Sequence, residues 1–332
     1  MPKAPSPAPN PITRALAGWR PARVLMTANR LKVFDAIGRE QLNAQEVADR
    51  CSAHPRSMGL LLNACVALGF LELRDGRYGN TADGLRMLVK GGEAYMGDSI
   101  NHADVLWSRW ALLTESVRTN EAGRSTEGPV DSRTAHRDFI LAMHDRAMLT
   151  GQELADSLDL HGRRQLFDCG GGPGTYSAFL VKKNPGLRAI LFDLPQTVEI
   201  AKPLLAEAGV ADRVATRAGD YFVDDFGKRN DVVLLSAVFH SMGAEEVKIL
   251  LRKAFDSLVS GGIVVVQESL IDDSGVAPVS AVLFSLNMLV NTGEGHSYTG
   301  TEIMSLLRET GFLAPHVQDL PSGSSLVIGT RP

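Results

Sequence analysis

The chain has 332 residues and a formal net charge of −4 at pH 7, and 44% of its residues are hydrophobic. This length suffices for two domains, and the composition and charge give no reason to expect disorder or nucleic acid binding. No segment reaches the roughly 18 uninterrupted apolar residues of a membrane span. Three widely spaced cysteines predict neither a disulfide framework nor a metal cluster, and we expect a reducing cytoplasm and no metal.

The N-terminal part of the chain predicts a short tail followed by helices. Five prolines within residues 1–11 indicate a disordered tail. Apolar residues at helical spacing predict a helix over residues 12–40. Asn43 and Glu46 have the spacing of a capping box, which predicts a short helix from Ala44 to Cys51.

A second short helix and a hairpin complete this pattern. The helix is expected from Pro55 to Leu68, and two short strands, Phe70 to Leu73 and Tyr78 to Thr81, are joined by a turn that contains Gly76. Two helices before a hairpin are typical of a winged helix-turn-helix. The second helix carries one basic residue, Arg56, and a long apolar body, which favours a buried dimer interface over DNA binding.

Further helices are expected over residues 81–160, interrupted by a polar stretch from Asn120 to Ser132. The pattern then changes to short apolar, β-branched runs separated by helical segments, which is typical of a parallel sheet covered on both faces. We therefore predict a helical winged-helix dimerisation and substrate-lid domain over residues 12–160 and a Rossmann-like, doubly wound, mostly parallel α/β domain over residues 161–332. The predicted strands are Leu166 to Cys169, Ala189 to Phe192, Val214 to Thr216, Val232 to Val238 and Ile263 to Gln267.

A glycine-rich segment follows the first of these strands. It reads Asp168-Cys169-Gly170-Gly171-Gly172-Pro173-Gly174 and leads into a predicted helix. Glycine lets the backbone approach a nucleotide-like ligand closely at this point. The segment lacks the Gly-Lys-Ser/Thr ending of a P-loop, and Thr175 stands where a dinucleotide fold prefers glycine, so NAD is disfavoured but stays possible.

Acidic residues follow the first three strands. Asp168 ends the first, Asp193 follows the second at a position that suits the ribose hydroxyls, and Asp220 follows the third. The carboxyl ends of parallel strands meet at one edge of an open sheet, where ligands bind. The sequence therefore predicts one nucleotide-like site at this edge.

These motifs together resemble a known family. The glycine segment, then Phe192-Asp193-Leu194-Pro195, then Gly219-Asp220-Tyr221-Phe222 is similar to the S-adenosylmethionine-dependent small-molecule O-methyltransferases of the plant caffeate and bacterial polyketide or hydroxyneurosporene type. The resemblance extends over nearly the whole chain beyond the tail. It implies S-adenosylmethionine as methyl donor, S-adenosylhomocysteine as product and a homodimer. The implied cofactor residues are Asp168, Gly170, Gly171, Gly172, Gly174, Asp193, Leu194, Asp220, Tyr221 and Ser236.

Three residues are candidates for the chemistry. His240 follows the fourth strand, Glu268 ends the fifth, and Glu294 lies in a glycine-flanked loop. A histidine can take a phenolic proton near neutral pH, and carboxylates beside it fix its tautomer. The resemblance implies that His240 is the base and that Glu268 and Glu294 flank it. The chain has Ser241-Met242 where plant members have Asp-Trp, and Ser236 replaces a lysine.

Aromatic, methionine and asparagine side chains at helical spacing are candidates for the acceptor pocket. Walls of this kind suit a planar, apolar molecule such as a phenol, quinol or polyketide. For any single aromatic or methionine residue among them, ordinary core packing is the more common arrangement. The candidates are Trp107, Trp110, Phe139, Met143, Phe284, Asn287, Met288 and Asn291.

The main hypothesis is therefore a methyl transfer to a hydroxyl group by direct displacement, without a metal. One alternative is an enzyme on the same scaffold whose bound cofactor supports hydroxylation, decarboxylation or a pericyclic step. A second alternative is a winged-helix regulator that senses a small ligand.

Overall fold

The computed structural model describes residues 10–123 and 132–332. They divide into two compact units, one up to Asp104 and one from Val105 onward. This division lies well before residue 160, where the sequence suggests the domain boundary. The reason is that the long helix Ser132–Ser157 packs against two helices of the sheet domain, Thr175–Lys183 and Pro195–Glu207.

The first unit is helical with one small hairpin. Its elements are α1 (Pro11–Arg30), α2 (Val33–Ile37), α3 (Ala44–Arg50), α4 (Pro55–Ala67), β1 (Leu71–Arg74), β2 (Arg77–Asn80) and α5 (Ala82–Met87), and α6 (Gly97–Trp110) continues across the division. The predicted capping box is confirmed, because the Glu46 N–H donates to Asn43 Oδ1 at 3.0 Å and the Asn43 N–H donates to Glu46 Oε2 at 2.7 Å. The antiparallel pairing of β1 with β2 confirms the hairpin.

The single helix predicted over residues 12–40 is wrong, since α1 and α2 are separate. Lys32 between them has a left-handed φ of 57°. The change of direction turns Val33, Phe34 and Ile37 into the core of the first unit. The proposed disordered tail lies outside the described residues as far as residue 9, and Pro11 already belongs to α1. Most of the proposed polar stretch, residues 124–131, also lies outside the described part.

The second unit contains a seven-stranded sheet with the order β5-β4-β3-β6-β7-β9-β8. Strands β3 to β7 are parallel, whereas β9 is antiparallel to both of its neighbours. The predicted Rossmann-like, mostly parallel sheet is confirmed. Its strands are β3 (Gln165–Cys169), β4 (Arg188–Asp193), β5 (Val214–Ala218), β6 (Asn230–Ser236), β7 (Leu258–Glu268), β8 (Leu313–Asp319) and β9 (Ser325–Thr330).

The inner strands of the sheet are buried on both faces, which explains their uninterrupted apolar sequences. Phe167 and Val233 point into one core cluster, whereas Leu166 and Val232 point into the other. None of the helices in the described ranges has the length and apolar character needed to cross a bilayer. The helices of this unit are α7 (Leu113–Thr119), α8 (Ser132–Ser157), α9 (Thr175–Lys183), α10 (Pro195–Glu207), α11 (Ala244–Ser257), α12 (Val279–Asn291) and α13 (Gly300–Thr310).

Candidate active site

The glycine-rich segment forms the turn between β3 and α9. Gly170, Gly172 and Gly174 have φ values of 67°, 55° and 74°, a region that favours glycine. A Cβ on Gly171 would lie 2.3 Å from Leu191 Cδ1, so packing also excludes a side chain there. A Cβ on Gly172 would meet nothing within 4 Å, so this backbone faces open space beside the sheet edge.

Asp193 lies directly against this turn. Its Oδ2 accepts a hydrogen bond from the Gly172 N–H at 2.8 Å, and its Oδ1 accepts one from the Leu194 N–H at 2.7 Å. Burial raises the pKa of this carboxyl group, although both backbone bonds oppose the change. The structure thus brings together the glycine turn and the second predicted acid, as expected for the edge of a parallel sheet.

The first predicted acid lies beneath the turn. Asp168 is 1% exposed, and its Oδ2 accepts a hydrogen bond from Ser177 Oγ at 2.6 Å. Burial raises the pKa of Asp168 to about 7, and nearby Asp193 contributes in the same direction. Asp168 therefore supports the turn from within the protein. Ser177 was not predicted, because only the fold reveals its contact with Asp168.

The third acid lies in the loop after β5. The Asp220 carboxylate accepts a hydrogen bond from the Phe222 N–H at 2.8 Å. The neighbouring Tyr221 ring lies close to Gly170, since a Cβ on this glycine would be 3.8 Å from Tyr221 Cε1. Burial raises the pKa of the Tyr221 phenol. The loop after β5 and the glycine turn therefore border the same space.

Lys253 of α11 holds this loop and was not predicted. Its ammonium group donates to the carbonyl oxygens of Tyr221 and Phe222 at 2.7 Å each and to that of Asp224 at 2.9 Å. These three bonds use all three protons of the ammonium group. A lysine in the middle of a predicted helix gives no sequence signal for such a contact.

Ser236 ends β6 and is tied to the neighbouring strand. Its Oγ donates to Gln267 Oε1 of β7 at 2.9 Å. The next residue, Ala237, has a left-handed φ of 56°. This backbone bend turns the chain into the short 3₁₀ turn Phe239–Ser241, which carries His240.

His240 and Glu268 form a hydrogen-bonded pair. The distance between His240 Nδ1 and Glu268 Oε2 is 2.7 Å, and the side chains are 16% and 3% exposed. Glu268 Oε1 accepts further hydrogen bonds from the Phe239 N–H at 2.8 Å and the His240 N–H at 3.3 Å. A carboxylate in this position favours the tautomer with the proton on Nδ1. Nε2 of His240 is then the acceptor nitrogen.

The second predicted glutamate occupies a different position. Within the described residues Glu294 makes no hydrogen bond to His240, and its carboxylate instead lies over Gly243, where a Cβ would be 2.2 Å from Glu294 Oε2. The adjacent Gly295 packs against the His240 carbonyl oxygen, because a Cβ on this glycine would lie only 2.4 Å from that oxygen. Gly243 and Gly295 thus allow the loop that contains Glu294 to lie against the turn that carries His240. The sequence did not reveal this role of the two glycines.

Part of the predicted acceptor face is assembled. The Phe284 ring packs edge-on against the His240 imidazole with ring centroids 4.8 Å apart. Trp110 Nε1 donates to Asn287 Oδ1 at 2.9 Å, and Asn291 Nδ2 donates to the same oxygen at 3.2 Å. Four of the eight candidates are therefore linked to one another or to His240.

The other four candidates differ in exposure. Trp107 and Phe139 are 38% and 39% exposed, Met143 is half-buried, and Met288 is buried at 7%. Met288 thus fits the core-packing interpretation better than a direct contact with an acceptor. Over the described part of the chain, no group of three or more His, Cys, Asp or Glu residues could hold a metal ion.

Comparisons with known proteins identify the class. The O-methyltransferase domain family matches residues 117–313, and the O-methyltransferase dimerisation domain matches residues 14–90. The chain is 35% identical over 308 residues to 3-hydroxy-5-methyl-1-naphthoate 3-O-methyltransferase of Streptomyces sahachiroi, covering 91% of this chain and 89% of that protein. It is 31% identical to the tetracenomycin polyketide synthesis 8-O-methyl transferase TcmO of Streptomyces glaucescens, covering 98% and 97%.

A solved structure agrees with these sequence matches. Human N-acetylserotonin methyltransferase in complex with SAM superimposes with a TM-score of 0.89 at 25% identity, covering 100% of this chain and 99% of that one. The chain belongs to the O-methyltransferase family and is an S-adenosylmethionine-dependent O-methyltransferase. None of these three relatives supports the alternative of a reaction without methyl transfer.

Proposed function

We propose that this enzyme methylates a hydroxyl group of a planar aromatic small molecule, with His240 as the general base. The observation that carries the proposal is the 2.7 Å pair between His240 Nδ1 and buried Glu268. This pair leaves Nε2 to accept a proton. A base favours oxygen as the methylated atom, because a neutral amine is already nucleophilic. The named acceptors of the two Streptomyces relatives, a hydroxynaphthoate and the tetracenomycin polyketide, suggest the same class.

The residues at the sheet edge fit S-adenosylmethionine. The Gly172 backbone faces open space, and the Asp193 carboxylate accepts a hydrogen bond from the Gly172 N–H. The loop that carries Asp220 borders the same region. When bound, S-adenosylmethionine supplies an activated methyl group on a positively charged sulfur. We propose that the glycine turn, Asp193 and Leu194 hold the nucleoside, and that Asp168, Asp220, Tyr221 and Ser236 complete or support the site.

The chain's own residues then have distinct tasks. Phe284 packs against the imidazole, and we propose that it places the acceptor ring beside His240. In the transfer, the methyl C–S bond would break as the C–O bond forms, and S-adenosylhomocysteine would leave. The proton of the acceptor hydroxyl would pass to Nε2 of His240, and Glu268 would stabilise the resulting imidazolium. We propose that Glu294 borders the acceptor from the adjoining loop without contacting the imidazole.

The dimerisation-domain match supports a homodimer. The three free cysteines are consistent with the proposed cytoplasmic location.

The test measures product formation from S-adenosylmethionine and a panel of hydroxynaphthoates by mass spectrometry. We expect His240→Ala to lower kcat by about 10²- to 10⁴-fold. Its affinity for S-adenosylhomocysteine should stay within about twofold, because His240 is not placed at the nucleoside. The control is His316→Ala, an exposed histidine in edge strand β8. Wild-type turnover by His240→Ala would refute the proposed base.

A further inference from the structure

A histidine of the long helix α8 contacts the first turn of α10, next to the proposed cofactor site. The distance between His136 Nε2 and Thr197 Oγ1 is 3.1 Å. Thr197 is 1% exposed, and its backbone N–H donates to the Leu194 carbonyl oxygen at 2.9 Å. The hydroxyl group is therefore buried in the first turn of α10, a helix that begins directly after Asp193 and Leu194.

The Thr197 hydroxyl group also contacts an acidic side chain. It is a hydrogen-bond partner of the Asp193 carboxyl group and lowers the pKa of that group, against the larger effect of burial. An ionised carboxylate can only accept, so Thr197 donates its single proton to Asp193. The hydroxyl oxygen then accepts a hydrogen bond from His136, which donates through the proton on Nε2. One chain of donors thus runs from His136 through Thr197 to Asp193.

The surroundings of Asp193 disfavour its charged form. Burial raises the pKa of Asp193, and buried Asp168 lies close enough for its own pKa to be raised by Asp193. The charge that His136 carries when protonated acts in the opposite direction and lowers the pKa of Asp193. His136 therefore favours the ionised carboxylate, which is the form that accepts hydrogen bonds from the hydroxyl groups of a ligand.

Asp193 also connects this chain of donors to the glycine turn. Its Oδ2 accepts from the Gly172 N–H at 2.8 Å, and its Oδ1 accepts from the Leu194 N–H at 2.7 Å. The hydrogen bond from Thr197 restricts the same carboxylate further. Because α8 supplies the imidazole, the position of this carboxylate depends on a helix outside the glycine turn and β4.

We propose that His136 is a positioning residue for the cofactor, which acts through Thr197 to hold and orient the carboxylate of Asp193. The inference rests on the proposed function, because it takes Asp193 to bind the nucleoside. It adds a contribution from α8, the helix that also carries the acceptor candidates Phe139 and Met143. The affinity for S-adenosylhomocysteine then depends on a side chain that reaches the nucleoside only through two others.

The test is a double-mutant cycle measured by calorimetric titration with S-adenosylhomocysteine. His136→Leu removes the imidazole donor, and Thr197→Val replaces the hydroxyl group by a methyl group of similar size. We expect each variant to bind about three- to fivefold more weakly than the wild type. Because both substitutions break the same chain of donors, the double variant should bind no more weakly than the weaker single variant. Two independent structural effects would instead multiply.

Two further variants show whether the N–H donor itself matters. His136→Gln keeps an N–H donor at the end of the side chain, so its affinity should return to within about twofold of the wild type. His161→Leu is the control, since His161 is an exposed histidine in the turn between α8 and β3, and it should bind as the wild type does. Thermal unfolding checks that each variant is folded.

Asp193→Ala separates failure of this inference from failure of the proposed function. If this variant binds as tightly as the wild type, the proposed cofactor site is wrong and the inference falls with it. If it binds more weakly, the inference alone is overturned by wild-type affinity in His136→Leu or by losses that multiply in the double variant. It is also overturned if His136→Gln binds as weakly as His136→Leu, because side-chain packing rather than the N–H donor would then explain the loss.

Discussion

At the scale of single residues, the chemistry depends on one buried carboxylate. Glu268 accepts hydrogen bonds from His240 Nδ1 and from two backbone N–H groups, those of Phe239 and His240. The two backbone bonds fix the carboxylate relative to the turn, and the carboxylate fixes the imidazole. The orientation of the proposed base is therefore a property of the turn and β7 together, and it does not require the acceptor.

Replacing this carboxylate by its amide should affect the reaction more than binding. We expect Glu268→Gln to lower kcat by about 10²-fold or more while KM for the acceptor changes little, because the imidazolium loses its stabilising charge. Steady-state kinetics against acceptor concentration measures both values. Glu245→Gln, at an exposed glutamate of α11, is the control. An unchanged kcat in Glu268→Gln would contradict the assigned role.

Asp168 should make the stability of the ligand-free protein depend on pH. Its pKa is raised from 3.8 to about 7 by burial, so the folded state holds this proton more tightly than the unfolded state. The stabilising contribution is fully present below pH 3.8 and is lost as the pH rises through about 7. Relative to Asp168→Asn, the wild type should lose up to about 1.4 kcal/mol per pH unit over this window.

Urea unfolding of both proteins at several pH values between about 4.5 and 7.5 measures this difference. Effects common to the rest of the chain cancel in the comparison. Parallel stability profiles for the wild type and Asp168→Asn would show that Asp168 is already ionised throughout the range.

At the scale of elements, the loop after β5 depends on a lysine from another element. Lys253 binds three carbonyl oxygens of residues 221–224, and Arg217 of β5 contacts the Asp225 carbonyl oxygen. The Arg217 guanidinium also lies over the Phe192 ring, 4.7 Å from its centroid. Two cations thus hold the backbone that carries Asp220 and Tyr221.

Removing the lysine charge should loosen this loop. We expect Lys253→Met to weaken S-adenosylhomocysteine binding by about tenfold, because the loop loses charge-assisted hydrogen bonds while the aliphatic stem is kept. Isothermal titration calorimetry gives the affinity. Lys248→Met removes an exposed lysine of the same helix and should bind as the wild type does. Equal affinities for the two variants would contradict a positioning role.

Local sequence signals predicted some elements and missed others for physical reasons. The inner parallel strands β3, β4, β6 and β7 contribute residues to both core clusters and therefore appear as continuous apolar runs, whereas edge strand β5 is only partly buried. Strand β8 is mostly exposed and contains Pro315, so it lacks such a run, and β9 was missed with it although its own sequence is apolar. The break at Lys32 arises from packing of the following residues into a core, which helical spacing alone does not reveal.

The candidate site was predictable to a similar degree. Positions at strand ends, such as Asp193 and Glu268, follow from topology, because parallel strands end at one edge. The pairing of His240 with Glu268 was expected from the resemblance, and the distance of 2.7 Å agrees with it. The position of Glu294 over Gly243 and the contacts of Lys253 depend on tertiary packing, which no local pattern of residues encodes.

At the scale of the whole molecule, the dimerisation-domain match and the surface of α1 predict a homodimer. Ile12, Leu16 and Trp19 are 73%, 70% and 51% exposed and lie at helical spacing along one side of α1. A stripe of large apolar side chains on a helix is expected to be buried in a partner.

The double variant Leu16→Glu with Trp19→Ser should therefore dissociate the dimer. Sedimentation equilibrium should give twice the chain mass for the wild type and the chain mass for the variant, because a buried charge without a partner is unfavourable. Val117→Glu, at an exposed residue of α7, is the control and should remain dimeric. A monomeric wild type, or a variant that stays dimeric, would contradict this prediction.

The most direct test of the central claim is a calorimetric titration with S-adenosylhomocysteine on the wild type and on Asp193→Ala. Asp212→Ala, at an exposed aspartate, serves as the control. The account predicts binding by the wild type and the control, and an affinity about fivefold or more weaker for Asp193→Ala, which corresponds to about 1 kcal/mol. No binding by the wild type, or equal binding by Asp193→Ala, would contradict the cofactor site that the glycine turn and Asp193 define.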